Sequence, residues 1–105
     1  MKIKLNISNR IETINLKLDT ENKFCQINDV VYDINVEELA FEIYTCVYNW
    51  PKKLKRSNVI DGETYNIIIE QENKIEEFVG INAFPPNYGK FKQYIYNILK
   101  NEHKN

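Results

Sequence analysis

Histidine is the side chain best suited to general acid–base chemistry near neutral pH. This 105-residue chain has one, His103, in a polar tail two residues from its end, where it reads as a solvated tail residue. Cys25 and Cys46 lie far apart in apolar contexts. The expectation for them is two buried free thiols rather than an activated nucleophile or a disulfide. Zinc needs three or four Cys, His or carboxylate ligands at short spacings, and Cys25, Cys46 and His103 form no such cluster. Neither serine, Ser8 or Ser57, sits in a nucleophile-elbow context, and Gly62, Gly80 and Gly89 stand too far apart for a phosphate loop. The residues imply no catalytic set, no metal site and no cofactor.

Three groups of side chains remain that could recognise something. Glu70, Glu72, Glu76 and Glu77 crowd one stretch, opposed only by Lys74. Two carboxylates divide acid and base roles only where their environments separate their pKa values, and carboxylates around a hairpin tip share one solvated environment. An acidic, edge-protecting hairpin is the expectation, and a small enzyme built on Asp61 and Glu63 is the weaker reading. The second group is Trp50 followed by Lys52, Lys53, Lys55 and Arg56. Such a run can grip phosphate while an indole stacks on a base. It is short, however, and the formal net charge is -1, without the excess of most nucleic-acid binders. Cations closing a helix account for it as well. The third group is the tyrosines: Tyr44, Tyr48, Tyr88, Tyr94 and Tyr96 fall on two expected helices, and not all can face a core. Exposed aromatic residues favour protein interfaces.

The elements that position these groups follow from hydrophobic period. Ile3, Leu5 and Ile7, then Ile14, Leu16 and Leu18, alternate with polar residues as half-buried strands do. Turn formers fall at Ser8-Asn9-Arg10 and at Asp19-Thr20-Glu21-Asn22. Phe24 to Ile27 and Val30 to Ile34 read as two short strands around a tight Asn28-Asp29 turn. At Asn35 the period changes. Asn35 with Glu38 resembles a capping box, and Val36, Leu39, Ala40, Ile43, Val47 and Trp50 form one helical face. Pro51 disfavours helix at Trp50, so the helix ends or kinks there. Tyr65, Ile67 and Ile69 form a strand in which Ile68 breaks the alternation, as in a central strand with both faces partly covered. Ile75, Glu77, Val79 and Ile81 return as its partner beyond a tip at Glu72-Asn73-Lys74. Pro85 and Pro86 end the sheet, and Tyr88, Phe91, Ile95, Ile98 and Leu99 line a second helix. The expected architecture is one α+β domain over residues 1–105, an antiparallel sheet in the order ββββ-α-ββ-α with both helices on one face.

The N-terminus lacks the apolar core of a signal peptide, and no run of roughly 18 apolar residues could span a membrane. The address expected is cytoplasmic. Asn, Ile and Lys dominate the composition, as AT-rich bacterial or phage genomes produce.

The stretch from Asp61 to Phe91 resembles small uncharacterised bacterial proteins in which a hairpin leads through Gly-x-Asn-x-aromatic-Pro into a final helix. Gly80, Asn82, Phe84, Pro85, Asn87 and Tyr88 occupy the matching positions. In this pattern Gly80 permits a close approach or bulge, Pro85 stops the strand and Asn87 caps the helix. In size and layout the chain is also similar to immunity proteins that neutralise toxins. That resemblance implies a fold neighbourhood and a protein partner, and no catalytic residue. Together these readings lead to a protein-binding module, with Glu70, Glu72, Glu76, Glu77, Tyr88 and Tyr96 as contact residues and the acids opposing a basic site on the partner. Nucleic-acid binding through Trp50, Lys52, Lys53, Lys55 and Arg56 is the alternative.

Overall fold

Alternating side chains build a sheet with one greasy face, and the computed structural model, which describes residues 1–57 and 62–101, shows what covers it. Strands β1 (Lys2–Ser8), β2 (Thr13–Asp19), β3 (Phe24–Ile27) and β4 (Val30–Val31) form an antiparallel meander, and helix α1 spans Val36–Val47. There follow β5 (Lys53–Lys55), β6 (Thr64–Gln71), β7 (Lys74–Ile81) and helix α2 (Tyr88–Asn101). The seven strands make one sheet in the order β4-β3-β2-β1-β6-β7-β5. All pairs are antiparallel except β5 with β7. The fold is thus α+β, as expected, with one parallel pair added at an edge.

Register explains why one face is dry. Leu5 stands opposite Leu16 on one side and Ile67 on the other, and Ile67 opposite Phe78. All four side chains are buried. Because the period along a strand is two, the neighbouring residues Lys4, Lys17, Ile68 and Glu77 make the matching row on the opposite face. Both helices lie over the dry face. Val36, Leu39, Ala40, Ile43 and Val47 of α1, and Tyr88, Phe91, Ile95 and Ile98 of α2, join a single core cluster with the strands. Strand β6 is interior, as the break at Ile68 implied, but only one of its faces is covered: Ile68 is half-buried on the bare face.

Turn chemistry fixes the connections. Asn28 (φ 55°) takes a left-handed conformation in the β3–β4 turn, and Glu72 (φ 50°) and Asn73 (φ 32°) do so at the β6–β7 tip. Positive φ at both central residues gives the tight turn whose twist matches paired strands. Asp19 accepts hydrogen bonds from the backbone N–H groups of Glu21 and Asn22. Asn35 caps α1 by accepting from Glu38 N–H at 3.0 Å.

Three local expectations are corrected. Strand β4 stops at Val31 instead of Ile34, because the chain must turn into the cap at Asn35. Helix α1 ends at Val47 with no basic residue in its last turn. Lys52, Lys53, Lys55 and Arg56 therefore do not close a helix. They belong to β5 and its flanks, where Val79 N–H donates to Lys52 O and Arg56 N–H donates to Ile81 O, both at 2.9 Å. On β7 the buried residues are Phe78 and Gly80, so Ile75, Val79 and Ile81 face away from the core.

Candidate functional site

The acidic hairpin carries its four glutamates in three different places. Glu70 and Glu77 project from the uncovered face of the sheet. Glu70 is flanked there by Lys2 and Ile75, and Glu77 lies opposite Ile68. Glu72 is at the exposed tip. Glu76 points to the helix side, where Lys52 Nζ binds it at 2.6 Å and Lys74 Nζ approaches to 3.8 Å. The Lys52 hydrogen bond and charge, with help from Lys74, hold the Glu76 carboxyl below its ordinary pKa. Glu77 accepts from Asn66 Nδ2 at 2.8 Å. Three carboxylates, not four, thus belong to one surface or its rim.

That surface has a component that the sequence reading omitted. Ile75 is 68% exposed and sits directly beside Glu70. Ile68, Val79 and Ile81 are half-buried on the same face. The signal was present in the sequence: with Phe78 in the core, period two sends Ile75, Val79 and Ile81 outward. Further across the bare face, Asn6 donates to Asn15, and an open depression of about 700 Å³ is lined by residues including Lys4, Lys17, Gln26 and Asn66.

Tyr88 and Tyr96 lie elsewhere, on α2. Tyr88 is buried and its hydroxyl donates to Glu63. Glu63 also receives Lys92 Nζ at 2.8 Å and Asn9 Nδ2 at 2.7 Å. Burial alone would raise the Glu63 pKa, but the three donors and the Lys92 charge outweigh it and hold the carboxyl below its usual value. Burial first, then the Glu63 carboxylate, raises the Tyr88 phenol, so Tyr88 remains a protonated donor. Tyr96 is half-buried; its hydroxyl donates to Glu12, and Lys92 Nζ lies 5.5 Å from its ring centroid. This cluster ties α2 to the β1–β2 turn and the start of β6. Tyr88 and Tyr96 are therefore separated from the hairpin surface, and Tyr88 offers no exposed ring.

The alternative nucleic-acid surface loses its stacking element. Trp50 is 6% exposed and packs edge-on against Tyr65 and Phe91 at centroid distances of 5.4 and 5.2 Å. Its Nε1 donates to Asn87 Oδ1 at 2.6 Å. Lys52 is paired with Glu76, leaving Lys53, Lys55 and Arg56 as exposed cations at this sheet edge.

The Gly-x-Asn-x-aromatic-Pro residues are absorbed by packing. A Cβ at Gly80 would lie 1.9 Å from Tyr65 Cε2, so Gly80 serves the close approach expected of it. Asn82 (φ 57°) turns the chain out of β7, and Phe84 stacks on Tyr88 at 4.7 Å. Asn87 does not cap its own helix with its side chain as expected. Its Nδ2 donates to Cys46 O at 3.1 Å, which satisfies a carbonyl in the last turn of α1 that lacks a helical partner.

The two cysteines are free, Cys25 buried and Cys46 half-buried. Burial pushes the Cys25 thiol up to about 11, and burial followed by the Glu42 charge raises Cys46. Both are poor nucleophiles near neutral pH. Among the described residues no three or more His, Cys, Asp or Glu side chains gather to hold a metal ion, and no helix is long and apolar enough to cross a membrane. Asp61 and His103 lie outside the described residues. In comparisons with known proteins, no family model, no curated protein and no solved structure matches this chain.

Proposed function

We propose that this chain is a protein-binding module of the inhibitor or immunity type, which acts by direct contact through the uncovered face of its β6–β7 hairpin. The observation that carries this reading is Ile75, 68% exposed between the carboxylates of Glu70 and Glu77 and continuous with Ile68, Val79 and Ile81. A compact apolar centre ringed by charge is the anatomy of a contact surface. The acidic rim suits a basic site on the partner, such as one that binds phosphate, because opposite charge speeds encounter and sets orientation. The helix side of the hairpin, where Lys52 neutralises Glu76, takes no part. Nothing in the position of Trp50 favours nucleic acid.

Co-purification from the native host at physiological salt tests the reading. Wild type is expected to retain one protein that Ile75→Lys and Val79→Lys lose, while each variant keeps the wild-type circular dichroism spectrum. Retention of no protein by wild type, or undiminished capture by both variants, overturns it.

A further inference from the structure

The bare face of the sheet continues beyond the hairpin onto β1, β2 and β3. Register sets its side chains there in two rows that cross the strands. Gln26, Lys17, Lys4 and Ile68 stand opposite one another in turn on β3, β2, β1 and β6, and Asn15, Asn6 and Asn66 form the adjacent row on β2, β1 and β6. The residues alternating with them along each strand are buried in the core, so period two turns both rows outward. With Asn28 of the β3–β4 turn they line the open depression of about 700 Å³, a size within the roughly 300–1,000 Å³ of small-ligand sites.

Lys4 and Lys17 are direct cross-strand partners, and like charges set opposite each other destabilise a sheet. Neither forms an ion pair among the described residues. The acids around them are engaged or stand off. Asp19 accepts from Glu21 and Asn22, Glu70 lies opposite Lys2, and Glu77 lies beyond Ile68 with its bond from Asn66. Asp29 also lines the depression, at its turn end beside Asn28. The carboxamides are already oriented. Asn6 donates to Asn15, Gln26 Nε2 donates to Asn28 O at 2.8 Å, and Asn28 Oδ1 accepts from Asn15 N–H at 2.9 Å. The carbonyl oxygens of Asn6, Gln26 and Asn66 and the Nδ2 groups of Asn15 and Asn28 stay unbonded among the described residues.

From this juxtaposition we infer that the depression binds an acidic sugar, its anionic group between the ammonium groups of Lys4 and Lys17 and its hydroxyls on the carboxamides of Asn6, Asn15 and Asn66. A hydroxyl both donates and accepts, and a carboxamide offers both in return. An anion between the two lysines removes their mutual repulsion and gains charge-assisted hydrogen bonds; carboxylate and phosphate meet this requirement alike. Ile68 supplies an apolar patch beside them for the C–H face of the ring. Among the described residues no aromatic side chain lines the depression, so the bases of a nucleic acid would find no ring on which to stack. The site lies on β1, β2, β3 and β6, apart from Ile75, and stands without the hairpin reading.

The test is a titration of the isotope-labelled full chain, followed by backbone amide chemical shifts, with glucuronate and with glucose 6-phosphate. Glucose and inorganic phosphate at matched ionic strength are the controls. At least one acidic sugar is expected to shift amides at residues 4–6, 15–17 and 66–68, and the tighter of the two identifies the anion. Glucose alone and phosphate alone should bind about tenfold more weakly or not at all. Lys4→Ala with Lys17→Ala, both at exposed positions, should weaken binding by about tenfold or more, the loss of one charge-assisted hydrogen bond or more. Asn6→Ala should weaken the acidic sugar but not phosphate, and Ile75→Lys should change neither. No shift at tens of millimolar, equal binding of inorganic phosphate, undiminished binding by the double lysine variant, or loss of binding in Ile75→Lys would each overturn the inference. A mixed oligonucleotide that shifts the same amides more strongly than either acidic sugar would do so too.

Discussion

Glu63 collects a lysine, a phenol and an amide donor on one carboxylate, with 14% of its side chain exposed. Hydrogen bonds to a charged group contribute about 1.5–3 kcal/mol each, and an unpartnered charge left in such a place costs as much or more. Its pKa is lower in the folded chain than the ordinary carboxylate value. A depressed folded pKa stabilises the native state above the unfolded value, about 4.3 for Glu, and that contribution disappears as pH falls through the folded pKa. Glu63→Gln should therefore be less stable than wild type at pH 7 by about 1–3 kcal/mol, with the gap narrowing on the acid side. Urea midpoints measured for both chains from neutral to acid pH check this. A gap that stays constant with pH would mean that the charge of Glu63 contributes nothing. Nearby, Tyr65 is buried with its hydroxyl unpartnered among the described residues, and its ring occupies the space left open by Gly80.

At the scale of elements, the junction of the two helices rests on one amide. Asn87 accepts from the Trp50 indole and donates to Cys46 O, so it ties the end of α1, the following turn and the start of α2 together. Asn87→Ala removes both bonds and leaves the indole N–H and a helix-terminal carbonyl to find other partners. The expected loss is about 1–3 kcal/mol, seen as a lower urea midpoint with altered Trp50 fluorescence. An unchanged midpoint would show that solvent replaces both bonds at no cost. The same junction explains the misplaced basic segment. Once α1 stops at Val47 and Trp50 turns inward, the chain runs along β7, and its lysines become the flank of an edge strand. Short, lysine-bearing edges resist pairing with other chains, which gives Lys53 and Lys55 a role without any ligand.

Across the described residues, seven strands form one sheet that the two helices cover on one face and leave bare on the other. Residues from β1, β2, β3, β6, β7 and both helices meet in one cluster, so no part can lose its packing without exposing the rest. Unfolding in urea should then be a single transition, with Trp50 fluorescence and far-ultraviolet circular dichroism coinciding. Separate midpoints would mean that the helix junction opens independently of the sheet.

Much of this was legible from period and turn chemistry alone. The alternation of β1, β2 and β6, the core stripe of α1, the cap at Asn35 and the Asn28 turn depend on neighbours within a few residues, where local sterics and burial decide the outcome. The α+β class followed from the order of those elements. What lay beyond reach depended on contacts between distant segments. The pairing of β5 with β7, the capture of Glu76 by Lys52, the inward turn of Trp50 and the convergence of Asn9, Tyr88 and Lys92 on Glu63 all join residues at least 24 positions apart, or elements that are not consecutive. Composition marked the acids and tyrosines as candidates for recognition, but only the tertiary fold decided which stay exposed. A strand's two faces and a helix's stripe become surface or core according to what packs against them, and no single segment encodes that.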